Sequence, residues 1–318
     1  MAVDLSVDKV NSLVSSSKQF WYNRNLKFQE WYETLTLIDT LASKGMETYV
    51  SNEPQTFYNM AHFLLTKGTM SHTTPITNES AIELDRRARL HRGAEYMWSV
   101  IDRDRQLAGN QPFIDELSFF LLVLGWYSVV MAFDQKTGLL KSQIWNPYDV
   151  YPTYSNDRMT YCVHSYSITE VEAGLKAEEK GWNYKPRGSA SGDVVLDDFF
   201  CQTPEGLYNM VLIDKKDVTG WVDRPDMRLL VAPVGGFPDR GSLNKYNASS
   251  SSLGANKLTN IKDWRKLAGR GIFEVNNTVY THFNKWKSLI SQNLRDTVQG
   301  AIQEFSATPQ ATPEQLRE

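Results

Sequence analysis

Five histidines, two cysteines and the adjacent acids Asp197-Asp198 and Glu178-Glu179 are the residues of this 318-residue chain whose chemistry has to be weighed first. His62, His72, His91, His164 and His282 stand far apart, and none forms the HxxxH or HExxH spacing that puts metal ligands on one helix face. Each therefore reads as a satisfied surface or core histidine. Cys162 and Cys201 fall inside apparent strands without CxxC spacing, so buried free thiols in a reducing cytoplasm are expected. The pairs Asp197-Asp198 and Glu178-Glu179 have the residue type for acid–base work or a metal site. Neighbours in a strand point to opposite faces, which predicts one buried-side and one solvent-side acid; neighbours in a helix predict a solvated face. No GxGxxG, GxxxxGK[ST] or GxSxG is present. Gly235-Gly236-Phe237-Pro238 is glycine-rich in composition only, with no helix start directly after it. No nucleophile, base and orienter can be assembled, so neither catalysis nor a cofactor nor a metal is expected.

The composition fits a structural role. Apolar residues make up 41% and charged residues 22%, an ordinary globular balance. The length suits one large domain or two ordinary ones. Tryptophan and tyrosine are spread along the whole chain, as in a large buried or subunit-facing surface. A net charge of -3 and a pI near 6.0 argue against sequence-specific DNA recognition, which favours a basic face, but permit a weak sliding contact. The start MAVDLSVDKVNSLV lacks the basic and apolar regions of a signal peptide, and Phe119 to Phe133 is too short to span a bilayer. A soluble protein made in the cytoplasm is expected.

Periodicity supplies the elements. Phe28, Trp31, Leu35, Ile38 and Leu41 recur at helical spacing, predicting a helix from Leu26 to Leu41 stopped by Gly45. Ser51-Asn52-Glu53-Pro54 reads as the start of the next helix. Glu79 to Ala108 is the longest charged helix; its Asp85-Arg86-Arg87-Ala88-Arg89-Leu90-His91-Arg92 run is interleaved with acids, which marks a salt-bridged face or subunit seam. An apolar helix is predicted from Pro112 to about Leu124. At Gly125 the period changes to strands: Trp126 to Phe133 and Leu139 to Trp145 around an Asp134–Gly138 hairpin loop, then Arg158 to Ser167, Val194 to Gln202, Leu207 to Ile213 and Met227 to Val234. Asn146 to Pro152 reads as a loop or sheet edge because of its prolines. Thr169 caps a short helix ending at Gly181, with Glu172 placed for a capping box. Gly235 to Asn260 is a long loop. A helix from about Asn276 to Phe305 would be roughly 45 Å long. Helices, then a strand meander with one inserted helix, then a long helix make an α+β chain.

In their order, these features resemble the portal proteins of tailed bacteriophages. The resemblance rests on Tyr49-Val50-Ser51-Asn52-Glu53-Pro54, the arginine- and glutamate-rich helix from Ala81 to Ala108, and Phe119–Tyr127, where an apolar helix ends at Gly125. It continues with Pro147-Tyr148-Asp149-Val150-Tyr151-Pro152, with Ala232-Pro233-Val234-Gly235-Gly236-Phe237-Pro238, and with Gly269-Arg270-Gly271 before the last helix. Together these cover most of Leu26 to Phe305. The resemblance implies a wing domain over 1–269 (helices in 26–124, a β-rich part in 125–235, a mobile loop at 236–260). A stem helix within 270–305 and the start of a clip at 306–318 would follow. The rest of the clip, a returning stem helix and a crown are not in the sequence, so either a truncated or split family member or a fragment of a longer one is expected. The implied function is a homo-oligomeric ring, usually of twelve copies, at one capsid vertex of the virion. Double-stranded DNA passes through such a ring, and its implied partners are the terminase large subunit, the major capsid or scaffold protein and a head–tail adaptor. On the stem helix, Asn284, Lys285, Ser288, Gln292, Arg295 and Gln299 are the candidates to face DNA; Val279, Phe283, Trp286, Ile290 and Leu294 are the candidates to pack the stem. The alternative is another virion structural protein, such as a head–tail adaptor or minor capsid protein.

Overall fold

The computed structural model describes residues 5–38, 50–67, 81–155, 158–186, 192–233, 271–273, 280 and 282–295. The first helix, α1 (Val7–Leu35), is longer than its expected Leu26 to Leu41 and begins much earlier. Its buried side includes Val10, Val14, Ser17, Trp21, Arg24, Phe28, Trp31 and Leu35, an alternation of four and three that keeps one seam inward. Ser17 and Arg24 interrupt the apolar pattern of that seam, which is why the periodicity is visible only after residue 26. Ser6 caps the start, its hydroxyl accepting from the Lys9 amide at 3.4 Å. The helix ends where Leu37 takes a positive φ of 56°, so Ile38 lies outside it and is exposed, while Leu41 and Gly45 fall outside the described residues.

Helix α2 (Glu53–Lys67) starts as expected, with the Ser51 hydroxyl accepting from the Glu53 amide. Helix α3 (Ala81–Leu107) carries the charged run, and α4 (Phe113–Val123) follows. The turn between them is held by Asp102, which accepts from the Phe113 amide at 2.9 Å, and by Arg105, which donates to Gln111 O and pairs with Glu116. Gly125 then turns the chain at φ 65°, the left-handed conformation glycine adopts without penalty.

Strands β1 (Trp126–Asp134) and β2 (Leu139–Ile144) form the expected hairpin. One 3-10 turn, Pro147–Asp149, leads into β3 (Val150–Ser155), so the proline-rich stretch is a turn followed by an edge strand. Pro152 is tolerated there because β3 pairs with β4 (Arg158–Thr169) alone. Helix α5 (Glu170–Lys180) is capped by Thr169, which accepts from the Glu172 amide at 3.2 Å, and closed by Gly181 at φ 69°. Then come β5 (Asp193–Gln202), β6 (Leu207–Ile213), the short β7 (Lys216–Asp217) and β8 (Val222–Asp223), and β9 (Met227–Pro233). The two-residue strands β7 and β8 are too short to leave a periodic signal, and the sequence reading misses them.

The strands make two antiparallel sheets. One has the order β2-β1-β9; the other runs β3-β4-β5-β6-β7, with β8 also on β6. The chain is therefore α+β. The larger sheet is covered on both faces. Val10 and Val14 of α1 meet Val163, Phe199, Met210 and Leu212 on one face. On the other, Ala173 of α5 meets Ile168, Val194, Leu196, Val211 and Ile213. Alternation is strict enough to name the faces: on β5 the even-numbered residues look toward α5 and the odd-numbered toward α1. A third cluster joins both sheets to α1 and α4 around Trp21, Phe28, Phe120, Trp126 and Phe200, with Phe273 also buried in it.

Gly271 sits against the end of α4, where a Cβ would come within 2.5 Å of Val123 O. Beyond it, residues 282–295 form helix α6, inside the expected Asn276 to Phe305. The expected loop at 236–260, the boundary at 269 and the 306–318 segment lie outside the described residues, as do Val279 and Gln299.

Candidate functional site

The stem candidates on α6 divide differently from expectation. Asn284 accepts from the Ser51 amide at 3.1 Å, and Ser288 is buried. This polar face, with Gln292 half-buried on it, leans on the chain's own body. Lys285 and Arg295 are exposed. Of the candidates for packing, Phe283 is half-buried, whereas Trp286, Ile290 and Leu294 point to solvent, joined there by Leu289. The periodicity identified two faces correctly but not which one the chain covers itself. Asn284, which accepts from Ser51 ahead of α2, and the small buried Ser288 draw the polar face inward, and no described residue covers the apolar one.

Helix α2 shows the same inversion. Tyr58 and His62 turn inward: Tyr58 meets Phe119 edge-on at 6.0 Å, and His62 Nε2 lies 3.1 Å from Asp115 O. Phe57, Met60, Phe63, Leu64 and Leu65 are exposed, Leu64 to 68%. So wide an exposed apolar arc on one helix marks a surface that a partner covers.

A second place where side chains converge is a cleft of about 1230 Å³ on the α5 side of the larger sheet, walled by the smaller one. Its floor is set by cross-strand register. His164 on β4 and Asp198 on β5 are directly opposite and share a face. Trp145, just after β2, stacks on the His164 ring at 4.1 Å and 11°, and Tyr166 follows at 4.6 Å. The His164 Nδ1 is buried without a protein hydrogen-bond partner. Burial, and then Lys176, hold its imidazole down to a pKa of about 4, so it is neutral at physiological pH. Burial pushes Asp198 up to about 6, against the opposing pull of Lys180, Lys176 and Arg224; none of these cations forms an ion pair with it. On α5, the Lys176 ammonium lies 5.1 Å over the Tyr166 ring and Lys180 lies 5.0 Å over Trp182. The cleft thus offers aromatic surface, four cations (Lys141, Lys176, Lys180 and Arg224) and two carboxylates (Asp198 and Asp217).

Asp197, the neighbour of Asp198, is on the other face and pairs with Lys18 of α1 at 2.7 Å. The expectation that the two acids point to opposite faces holds, although Asp197 is also buried. Glu178 and Glu179 are exposed on α5, and both cysteines are free thiols. Burial pushes the Cys162 thiol up to about 12. Sequence reasoning missed the His164–Asp198 row because it joins residues 34 positions apart through strand pairing, which leaves no local spacing to read. Among the described residues, no group of histidine, cysteine and acid side chains could hold a metal ion, and no helix is long and apolar enough to cross a membrane.

A second buried cation lies outside the cleft. Arg24 of α1 donates to Pro147 O at 3.1 Å and Val150 O at 2.7 Å, with its guanidinium 4.6 Å from the centre of the Trp21 ring. Burial lowers its pKa to about 9. It ties the Pro147–Pro152 turn to α1, and Asn25 adds a bond to Tyr148 O at 2.8 Å. The chain matches no protein-family model and no curated protein.

Proposed function

We propose that the chain is a subunit of the portal ring of a tailed bacteriophage, a structural channel for double-stranded DNA at one capsid vertex. The observation that carries this reading is the pair of helices, α2 and α6, whose apolar faces no described residue covers. A ring closed by rotation gives every subunit two neighbours, so surfaces that are exposed in one chain are buried in the assembly. The order of motifs from Tyr49 to Gly271 supports the same reading. Trp286, Leu289 and Leu294 then meet the adjacent subunit. Lys285, exposed on α6, is among the cations that would touch passing phosphates; Asn284 and Ser288 instead hold α6 to its own chain. A few cations per subunit give weak contacts without sequence preference, suited to DNA that must move.

In this role the ring docks the terminase large subunit and a head–tail adaptor and sits in a shell of the major capsid or scaffold protein. The test is the state of association of the purified chain. Rings with a central opening are expected, and Met60→Glu with Leu64→Glu should break them into smaller species that keep the same far-UV circular dichroism. Unchanged association in that double variant would remove α2 from the interface.

A further inference from the structure

The geometry points to the cleft between the two sheets as a docking groove for an acidic peptide segment of a partner protein. The inference does not depend on ring formation, because the groove is built within one chain.

Size comes first. At about 1230 Å³ the cleft exceeds the ~300–1,000 Å³ that encloses a typical small molecule. Its lining mixes polar and aromatic side chains, as a peptide with alternating backbone and side-chain contacts requires. Charge comes second. The whole chain carries a net charge of -3, yet Lys141, Lys176, Lys180 and Arg224 converge on this one groove, against Asp198 and Asp217. This local excess of cations steers an acidic segment here.

Two of these cations are held in place. Lys176 and Lys180 are one turn apart on α5, each over an aromatic ring of the groove. The bond from Lys176 to Glu172 at 2.9 Å is an exposed helix pair of little worth, and a ligand carboxylate displaces it readily. Arg224 is fixed through Asp226 at 3.0 Å. Asp198 lies on the floor beneath these cations, and no described protein group donates a hydrogen bond to its carboxylate. A peptide fills that gap from both sides: its acidic side chains meet the ammonium groups, and a backbone N–H donates to Asp198. An anion without donors satisfies only one side, and a simple cation only the other.

The probe is a fluorescein-labelled decapeptide of alternating glutamate and glycine, titrated with the full chain at neutral pH and read by fluorescence anisotropy. A lysine–glycine decapeptide and adenosine monophosphate serve as competitors. The glutamate peptide is expected to bind and the lysine peptide not to displace it. Lys176→Glu with Lys180→Glu should weaken binding roughly tenfold or more, and Lys176→Gln with Lys180→Gln by a smaller factor in the same direction. Lys9→Glu with Lys27→Glu makes the same charge change on exposed positions of α1, and should stay within about twofold of the parent. Absence of binding by the parent chain overturns the proposal. So do equal losses in the two charge-reversed variants, which would make the attraction diffuse. Displacement by adenosine monophosphate at concentrations equal to those of the peptide would make the groove a small-anion site and overturn it as well. A chain that never forms rings but binds the peptide leaves this inference standing and removes only the ring reading.

Discussion

At the scale of single residues, the two titrating groups on the cleft floor act on stability with opposite signs. Asp198 has its pKa raised from 3.8 to about 6, so the folded chain holds that proton more tightly than the unfolded one. Its contribution is fully present at low pH and is lost as pH rises through about 6. His164 is lowered from 6.5 to about 4; its contribution is present above 6.5 and lost as pH falls through about 4. Asp149, raised to about 6 by burial despite Arg24, adds to the Asp198 slope. The slopes oppose each other across the window between the two shifted values. Relative to the parent chain, Asp198→Asn should therefore gain stability as pH rises through that window, by on the order of 1 kcal/mol. His164→Gln should do the reverse, and urea unfolding midpoints at the two ends of the window would show it. A parallel shift of both variants with no change of slope would contradict the assignment. Arg24 makes a separate prediction. Arg24→Met removes the guanidinium that donates to the carbonyls of Pro147 and Val150 and should cost on the order of 2–4 kcal/mol in urea unfolding. A loss below about 0.5 kcal/mol would mean that water replaces the guanidinium.

At the scale of elements, caps and tight approaches decide boundaries. Thr169 starts α5 and thereby places Lys176 and Lys180 over the cleft. Thr169→Ala should lower stability by about 1 kcal/mol, and by thermal unfolding the loss should be visible without any change of fold. Gly271 has no room for a side chain beside Val123 O, so Gly271→Ala must shift either α4 or the segment that leads to α6. Its melting temperature should fall, and an unchanged one would mean that α4 gives way without cost. The elements were mostly legible in sequence. The boundaries of α2, α4, α5, β1, β5, β6 and β9 follow from period changes and from Pro, Gly and Thr at the ends. The first nineteen residues of α1 were not legible, because Ser17 and Arg24 occupy its inward seam and only the turn they contact explains them. The cleft was not legible either, since it depends on which residues of β4 and β5 lie side by side.

At the scale of the whole molecule, two antiparallel sheets, their covering helices and α6 explain most of the aromatic residues as core. Among the described residues, nothing covers the outward arcs of α2 and α6. The account assigns those arcs to neighbours in a ring. Amphipathic periodicity shows that a helix has an apolar face, but not whether its own chain or another covers it; α6 turned out to use its polar face inward. The measurement that tests this most directly is the mass of the purified full chain by light scattering, with negative-stain electron microscopy of the same sample. The account predicts rings with a central opening and a mass of about twelve 36.4 kDa subunits, dissociated by Met60→Glu with Leu64→Glu. A single 36.4 kDa species that persists at high concentration, with Trp286 and Leu64 still exposed to solvent, would contradict it.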